Sequence, residues 1–213
     1  MRTTATCIGA SVAVLLSAGA CLAAPVPIVS DTANSTAGLG SFVGSIEYTH
    51  TAGNMGSLLI SLTNTSNPAN GGYLTAFAFN ISSADAGARA TLISGPANFS
   101  GIANVDAAPF GAFDWGASAT GGQFLGGGNP SAGLAVGVTG VFRFLVIAAD
   151  AATLTSEDFL LAGPTPVGFA ARFRGFHNNG SDKVPATIEV PLPASAAMAG
   201  AGLLCLGLRR RRC

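Results

Sequence analysis

Charge is scarce in this chain. Lys, Arg, Asp and Glu make up 9% of its 213 residues, against roughly 25% in ordinary soluble domains. Excess positive charge is absent as well. Ten Lys and Arg are matched by ten Asp and Glu, which excludes a basic nucleic-acid binder. With 49% hydrophobic residues, the chain is too apolar for a charged disordered segment. Cysteine is confined to the ends: Cys7 and Cys21 near the start, Cys205 and Cys213 near the finish. The body between them therefore has no disulfide framework and no thiol nucleophile. Histidine occurs twice, at His50 and His177, with no HxH or HExxH spacing and no cysteine partner. That leaves a zinc site unsupported. No GxSxG elbow and no phosphate-binding glycine loop occurs.

The charge that is present is unevenly placed. Arg2 and Arg209–Arg212 hold half of the basic residues, while all ten acidic residues lie between Asp31 and Glu189. The body, 25–189, thus carries five basic and ten acidic residues, a net −5. At the N-terminus, Arg2 precedes an apolar run, Ile8–Leu16, and then the small-residue stretch Ser17–Ala24. That order is the order of a secretory signal peptide, predicted over 1–24. Cleavage after Ala23 places Cys21 at −3; a lipoprotein site centred on Cys21 is the alternative.

The C-terminal segment reads VPLPASAAMAGAGLLCLGLRRRRC. A proline-containing motif, Val190, Pro191, Leu192, Pro193 and Ala194, is followed by an apolar stretch, 194–208, and by Arg209, Arg210, Arg211 and Arg212. The 15 residues of this stretch span about 22 Å as a helix, short of the ~20 residues of a stable membrane span. The arginines hold that end in the cytoplasm. The two prolines keep the motif extended, outside the helix that follows.

This arrangement resembles the PEP-CTERM sorting tail, in its VPLPA-CTERM variant. The resemblance covers 190–213 and carries no information about the body. It implies processing by an exosortase, a membrane-embedded cysteine transpeptidase, with cleavage near the motif. It also implies a transient inner-membrane anchor, then passage to the cell surface or the extracellular space of a cell that makes exopolysaccharide. Val190-Pro-Leu-Pro in place of the commoner Pro-Glu-Pro points to a variant exosortase.

Between 30 and 190 no run has helical periodicity, and several alternate with period two. Ser41–Thr49 places Phe42, Ile46 and Tyr48 on one face. Ser57–Thr63 and Ala88–Ile93 read as strands. Tyr73–Ile81 aligns Tyr73, Thr75, Phe77, Phe79 and Ile81. Leu134–Ala148 aligns Val136, Val138, Phe142, Phe144 and Val146, with a bulge or bend expected at Gly140. Val167–Phe173 puts Arg172 opposite Val167, Phe169, Ala171 and Phe173. Ala186–Val190 reads as a last edge strand. Thr153–Phe159 predicts one helical turn capped by Thr155 or Ser156. Gly95–Gly133, rich in glycine with Phe99, Phe110, Phe113, Trp115 and Phe124 interleaved, reads as long loops and irregular strands. All 13 phenylalanines lie between Phe42 and Phe176 and supply a core. These features predict an all-β fold: an antiparallel β-sandwich, 25–189, broadly jelly-roll or cohesin-like, flanked by a signal helix and a C-terminal transmembrane helix.

Candidate chemistry in the body is sparse. Trp115 and Phe113, beside Asp114, form a candidate glycan platform, because aromatic faces with nearby polar groups stack on sugars. The plainer alternative is that Phe110, Phe113 and Trp115 pin a loop to the core. Asp106 and Asp114 lie in the same region and offer oxygen ligands, without an EF-hand spacing. His177, Ser181 and Asp182 can be drawn as a triad only by their proximity in a turn. Arg172, Arg174 and Lys183 form the body's one local basic cluster, read as charges that protect an edge strand or as contacts to anionic polysaccharide. No catalytic residue, metal site or cofactor is expected. The expected role is non-enzymatic: an exported, tail-sorted surface or matrix protein. Its expected partners are exosortase, the membrane before cleavage and exopolysaccharide, not nucleic acid. A carbohydrate-binding module is the alternative, and a secreted hydrolase the least favoured.

Overall fold

The computed structural model describes residues 24–119, 121, 124–125, 128–161 and 167–189. The signal-peptide and sorting-tail expectations, over 1–23 and 190–213, lie outside the described residues. Ten strands run in chain order: β1 Val26–Ser30, β2 Phe42–Ala52, β3 Met55–Asn64, β4 Gly71–Phe79, β5 Arg89–Ser94, β6 Ser100–Asp106, β7 Ala112–Ser118, β8 Thr139–Ile147, β9 Phe169–Phe176 and β10 Ser181–Ile188. Among the described residues there is no α-helix, only short 3₁₀ turns. The fold is all-β and every pairing between strands is antiparallel.

The strands form one ten-stranded sheet in the order β5-β8-β3-β2-β1-β10-β9-β4-β7-β6. It curls until its two edges approach. A methyl added to Gly101 on β6 would sit 3.2 Å from the Leu92 Cβ on β5. The result is nearly a barrel, open along a β5–β6 seam. Strand β10 is the pivot. Its first half, Ser181–Pro185, pairs with β9, and its second half, Ala186–Ile188, pairs with β1.

Alternation builds the core as period two requires. Phe42, Ile46 and Tyr48 of β2 point inward beside Leu58, Ile60 and Leu62 of β3. Phe142, Phe144 and Val146 of β8 are buried, and the two rings face across to Phe77 and Phe79 of β4. Phe77 meets Phe142 edge-on at 4.7 Å between ring centroids and stacks on Phe169 at 5.7 Å. Burying each such ring contributes about 1.5–3 kcal/mol, and a good aromatic pair about 1 kcal/mol more. The β2–β3 hairpin turns at Gly53, φ +55°, the left-handed position its two-residue loop needs.

Several expectations change. Strand β8 begins at Thr139, so Val136 and Val138 precede it, and Val138 is exposed. Gly140 sits in unbroken register opposite Leu62; its missing side chain makes room for Leu134, not for a bulge. Strand β4 is buried on both faces, because a register shift between Leu74 and Ala76 and a covering second cluster override simple alternation. The predicted Ala186–Val190 edge strand is the end of β10, which lies inside the sheet. Gly95–Gly133 contains two regular strands, β6 and β7. The turn at Ser156–Phe159 forms as expected, with the Asp158 carboxylate accepting from the Thr155 N–H at 2.7 Å and its hydroxyl at 2.9 Å.

Candidate functional site: the Trp115 seam

Trp115, the chain's single tryptophan, stands at the open seam. Its strand places it opposite Phe79 on β4 and Ala103 on β6. The ring packs on the rim of the main core and stays half-buried. It lines two neighbouring grooves. The first, about 310 Å³, runs between Thr91 and Leu92 of β5 and Gly101 and Ala103 of β6, with Phe144 also at its wall. The second, about 340 Å³, is polar and is bounded by Ser83, Asp85, Asn104 and Asp114. Asn104 takes φ +52°, between the Ala103–Trp115 and Val105–Phe113 pairs of a β6–β7 ladder that keeps its register. This is the left-handed conformation that Asn tolerates best among side-chain-bearing residues.

The polar groove is held from beneath by a loop network. Asp85 accepts from the Gly87 and Ala149 N–H groups, both at 2.8 Å. Asp150 accepts from the Ser83 hydroxyl at 2.5 Å and the Ala84 N–H at 2.8 Å. The Ala149 N–H bond, above all, holds the Asp85 carboxyl below its ordinary pKa. The Ser83 hydroxyl does the same for Asp150. Both are therefore carboxylates at neutral pH, which accept hydrogen bonds and have no proton to give. The Asp114 N–H donates to the Asn80 side-chain oxygen at 3.0 Å. The buried Asn80 Nδ2 has no partner. An apolar ring bordered by hydroxyl, amide and carboxylate acceptors suits a polyhydroxylated ligand.

The other candidates separate. Phe113 is 2% exposed and belongs to the second apolar cluster, together with Phe124 and Ala170. It has no free face, so the expected two-residue platform reduces to Trp115. Asp106 accepts from the Ala108 N–H at 2.9 Å, and among the described residues no group of three His, Cys, Asp or Glu could hold a metal. His50 contacts the Gly53 carbonyl oxygen at 3.0 Å and His177 the Ala69 carbonyl oxygen at 3.0 Å, in different loops. Asp182 is fully buried, its oxygens taken by the Thr36 hydroxyl and by the N–H groups of Ala37, Leu39 and Gly40. The triad drawn from sequence proximity is therefore not assembled. Arg172, Arg174 and Lys183 do come together, on β9 and β10. Because both strands are interior to the sheet, the edge-protection reading of these charges is overturned.

Sequence reasoning missed Ser83, Asp85 and Asn104. Ser83 and Asp85 lie in a loop some 30 residues before Trp115, and only the curl of the sheet brings that loop to the seam. No family model matches the chain, and no curated protein or solved structure matches it.

Proposed function

We propose that this chain is the precursor of an exported, non-enzymatic protein of the cell surface or extracellular matrix, sorted by its C-terminal tail. The observation that carries this reading is the tail itself: Val190–Ala194, the apolar stretch and Arg209–Arg212 in that order, the pattern of an exosortase client. The body is compatible with a tether at either end. The Glu189 N–H donates to the Pro27 carbonyl at 3.0 Å, so both ends of the body leave from one place. On this reading a signal helix and a transient membrane helix flank the body, and the curled sheet is a flattened sandwich. Its layers are β5-β8-β3-β2-β1 and β10-β9-β4-β7-β6.

The test is the intact mass of the protein recovered from each cell fraction of its host. A species beginning near Pro25 and ending within Val190–Ala194, outside the inner membrane, is the expected result. A species retaining Arg209–Arg212 in the inner membrane would mean a plain anchor and would sink the sorting reading. No helix among the described residues is long and apolar enough to cross a membrane.

A second reading is favoured by one observation: Trp115 lies half-buried between two open grooves, one of them rimmed by polar acceptors. We propose that this seam binds a neutral stretch of polysaccharide, the exopolysaccharide of the producing cell being the expected source. Because Trp115 is the only tryptophan, its emission reports the seam directly. Neutral oligosaccharides should shift that emission saturably, and Trp115→Ala should weaken binding by about tenfold or more, the loss expected for one stacking ring. Emission that ignores every oligosaccharide tried at millimolar concentration would leave Trp115 as a packing residue.

A further inference from the structure

We infer that two copies of this chain pack face to face through the outer surface of β2, β3 and β8. The inward side chains of these strands fill the core. Their outward neighbours carry a second apolar set: Val43 on β2, Met55 and Leu59 on β3, and Val141, Leu145 and Ile147 on β8. None of the six is buried, and Val141 is 51% exposed. None belongs to either apolar cluster, so no described element covers this face. The other outward side chains between Val43 and Thr49, Met55 and Thr63, and Thr139 and Ile147 are Ser and Thr, apart from one acid, Glu47, and one base, Arg143. Some of the hydroxyls are already served within the chain. Thr63 and Thr139 share a hydrogen bond at 2.7 Å, and Ser57 accepts from Arg143 at 3.1 Å. Covering them therefore costs less than covering free hydroxyls. A broad apolar surface of this kind is an association surface.

The two charges say what covers it. Glu47, Leu59 and Arg143 stand in one row across the three strands. The acid and the base flank Leu59 from strands about 10 Å apart, and among the described residues they do not pair with each other. A two-fold axis parallel to β3 and passing over Leu59 lays β2 of each copy on β8 of the other. Leu59 then meets Leu59, and each Glu47 meets Arg143 of the second copy. The surface is thus complementary to itself, as a two-fold interface requires. The alternative axis, across the strands, sets Glu47 on Glu47 and Arg143 on Arg143. The charges therefore choose the orientation, while the apolar side chains supply the affinity. Arg89, at the margin on β5, lies outside this row and near Asp85 of its own chain.

Size and direction agree with this arrangement. With β5 beside them, the strands and their outward rows form a plane of roughly 20 Å by 30 Å, about 600 Å² on each copy and about 1,200 Å² in all, the threshold of a specific interface. An axis parallel to the strands also keeps both copies pointing the same way. The adjoining ends of the body, held by the Glu189 N–H bond to the Pro27 carbonyl, therefore leave on one side of the dimer, so two tails could enter one membrane.

Sedimentation velocity of the full chain in a non-ionic detergent, up to ~100 µM, tests this; an interface of this size should give a dimer with a micromolar dissociation constant. Glu47→Arg and Arg143→Glu should each weaken the dimer about tenfold or more, because each sets like charges against one another. An equimolar mixture of the two variants should dimerise again, since one brings two bases and the other two acids. Val141→Ser, at an exposed position, should weaken the dimer about threefold or more through lost apolar contact. A parent chain that stays monomeric would overturn the interface and leave this face to the chain's own apolar ends. Single charge variants as dimeric as the parent would overturn it too, as would a mixture that stays monomeric while both variants keep the parent's circular dichroism. If either charge variant loses that spectrum, Val141→Ser decides, and undiminished association in it would sink the proposal.

Discussion

The residue that does most for this fold without contributing to a surface is Asp182. Its carboxylate is 0% exposed. Oδ1 accepts from the Thr36 hydroxyl at 3.0 Å and the Ala37 N–H at 2.8 Å, and Oδ2 from the Leu39 and Gly40 N–H groups at 2.7 and 2.9 Å. One side chain thus satisfies three backbone donors in the loop from β1 to β2. Asp182→Ala strands those donors. Asp182→Asn sets an NH₂ group against at least one of them. Each change should lower unfolding free energy by about 2–4 kcal/mol, read by urea denaturation; a loss under ~1 kcal/mol would mean that water replaces the carboxylate. Asp85 and Asp150 act on the acid side. Their folded pKa values are depressed by the Ala149 N–H and the Ser83 hydroxyl respectively. A depressed carboxyl stabilises the fold above its unfolded pKa, and that stability is lost as pH falls through the folded value. The melting temperature should therefore be flat near neutrality and fall below about pH 4, where unfolded carboxyls titrate. In Asp85→Asn the fall should be shallower, because one of the two linked protons is gone. An identical acid limb in the variant would refute the assignment.

At the scale of the element, what was legible in the sequence followed side-chain type. β2, β3, β5 and β9 alternate branched or aromatic residues with small or polar ones, and their positions follow from that pattern. β6 and β7 carry Gly, Ala, Asn and Asp at many positions where a strand normally shows Val or Ile, so they read only as irregular strands among long loops; pairing with each other and with β4 forms them. Trp115 stood out because it is the only tryptophan, with Asp114 beside it, but the other groove partners, Ser83, Asp85 and Asn104, come from other elements and left no local signal. The same tertiary pairing fixes Gly116. It lies opposite Ala78, and an added Cβ would fall 2.1 Å from the Phe77 carbonyl oxygen. That atom is backbone and cannot swing away. Gly116→Ala should force β7 off β4 and cost about 1–3 kcal/mol, and because Trp115 is its neighbour the emission maximum should move with the displacement. A variant as stable as the parent, with unchanged emission, would show that the two strands separate freely at this point.

For the whole molecule, the decisive feature is where the chain closes on itself. Strands β2 and β10 never pair; β1, only five residues long, is the link between them. β10 in turn joins that link to β9 through its two halves on either side of Pro185. The sheet therefore holds together because its first and last strands meet. All of the described core residues precede Val190, the last being Val184. Two truncations separate the roles of the body and the tail. A chain ending at Glu189 keeps every strand, and its body should melt within a few degrees of the full chain, a difference corresponding to under ~1 kcal/mol for a domain of this size. A chain ending at Gly180 loses β10, exposes β1 and β9 as unpaired edges and splits the sheet, so it should aggregate rather than fold. If the tail directs sorting, the first truncation gives a folded protein that is secreted but not retained at the surface. Surface retention of that folded, tail-less body would transfer the sorting signal from the last two dozen residues to the sheet itself.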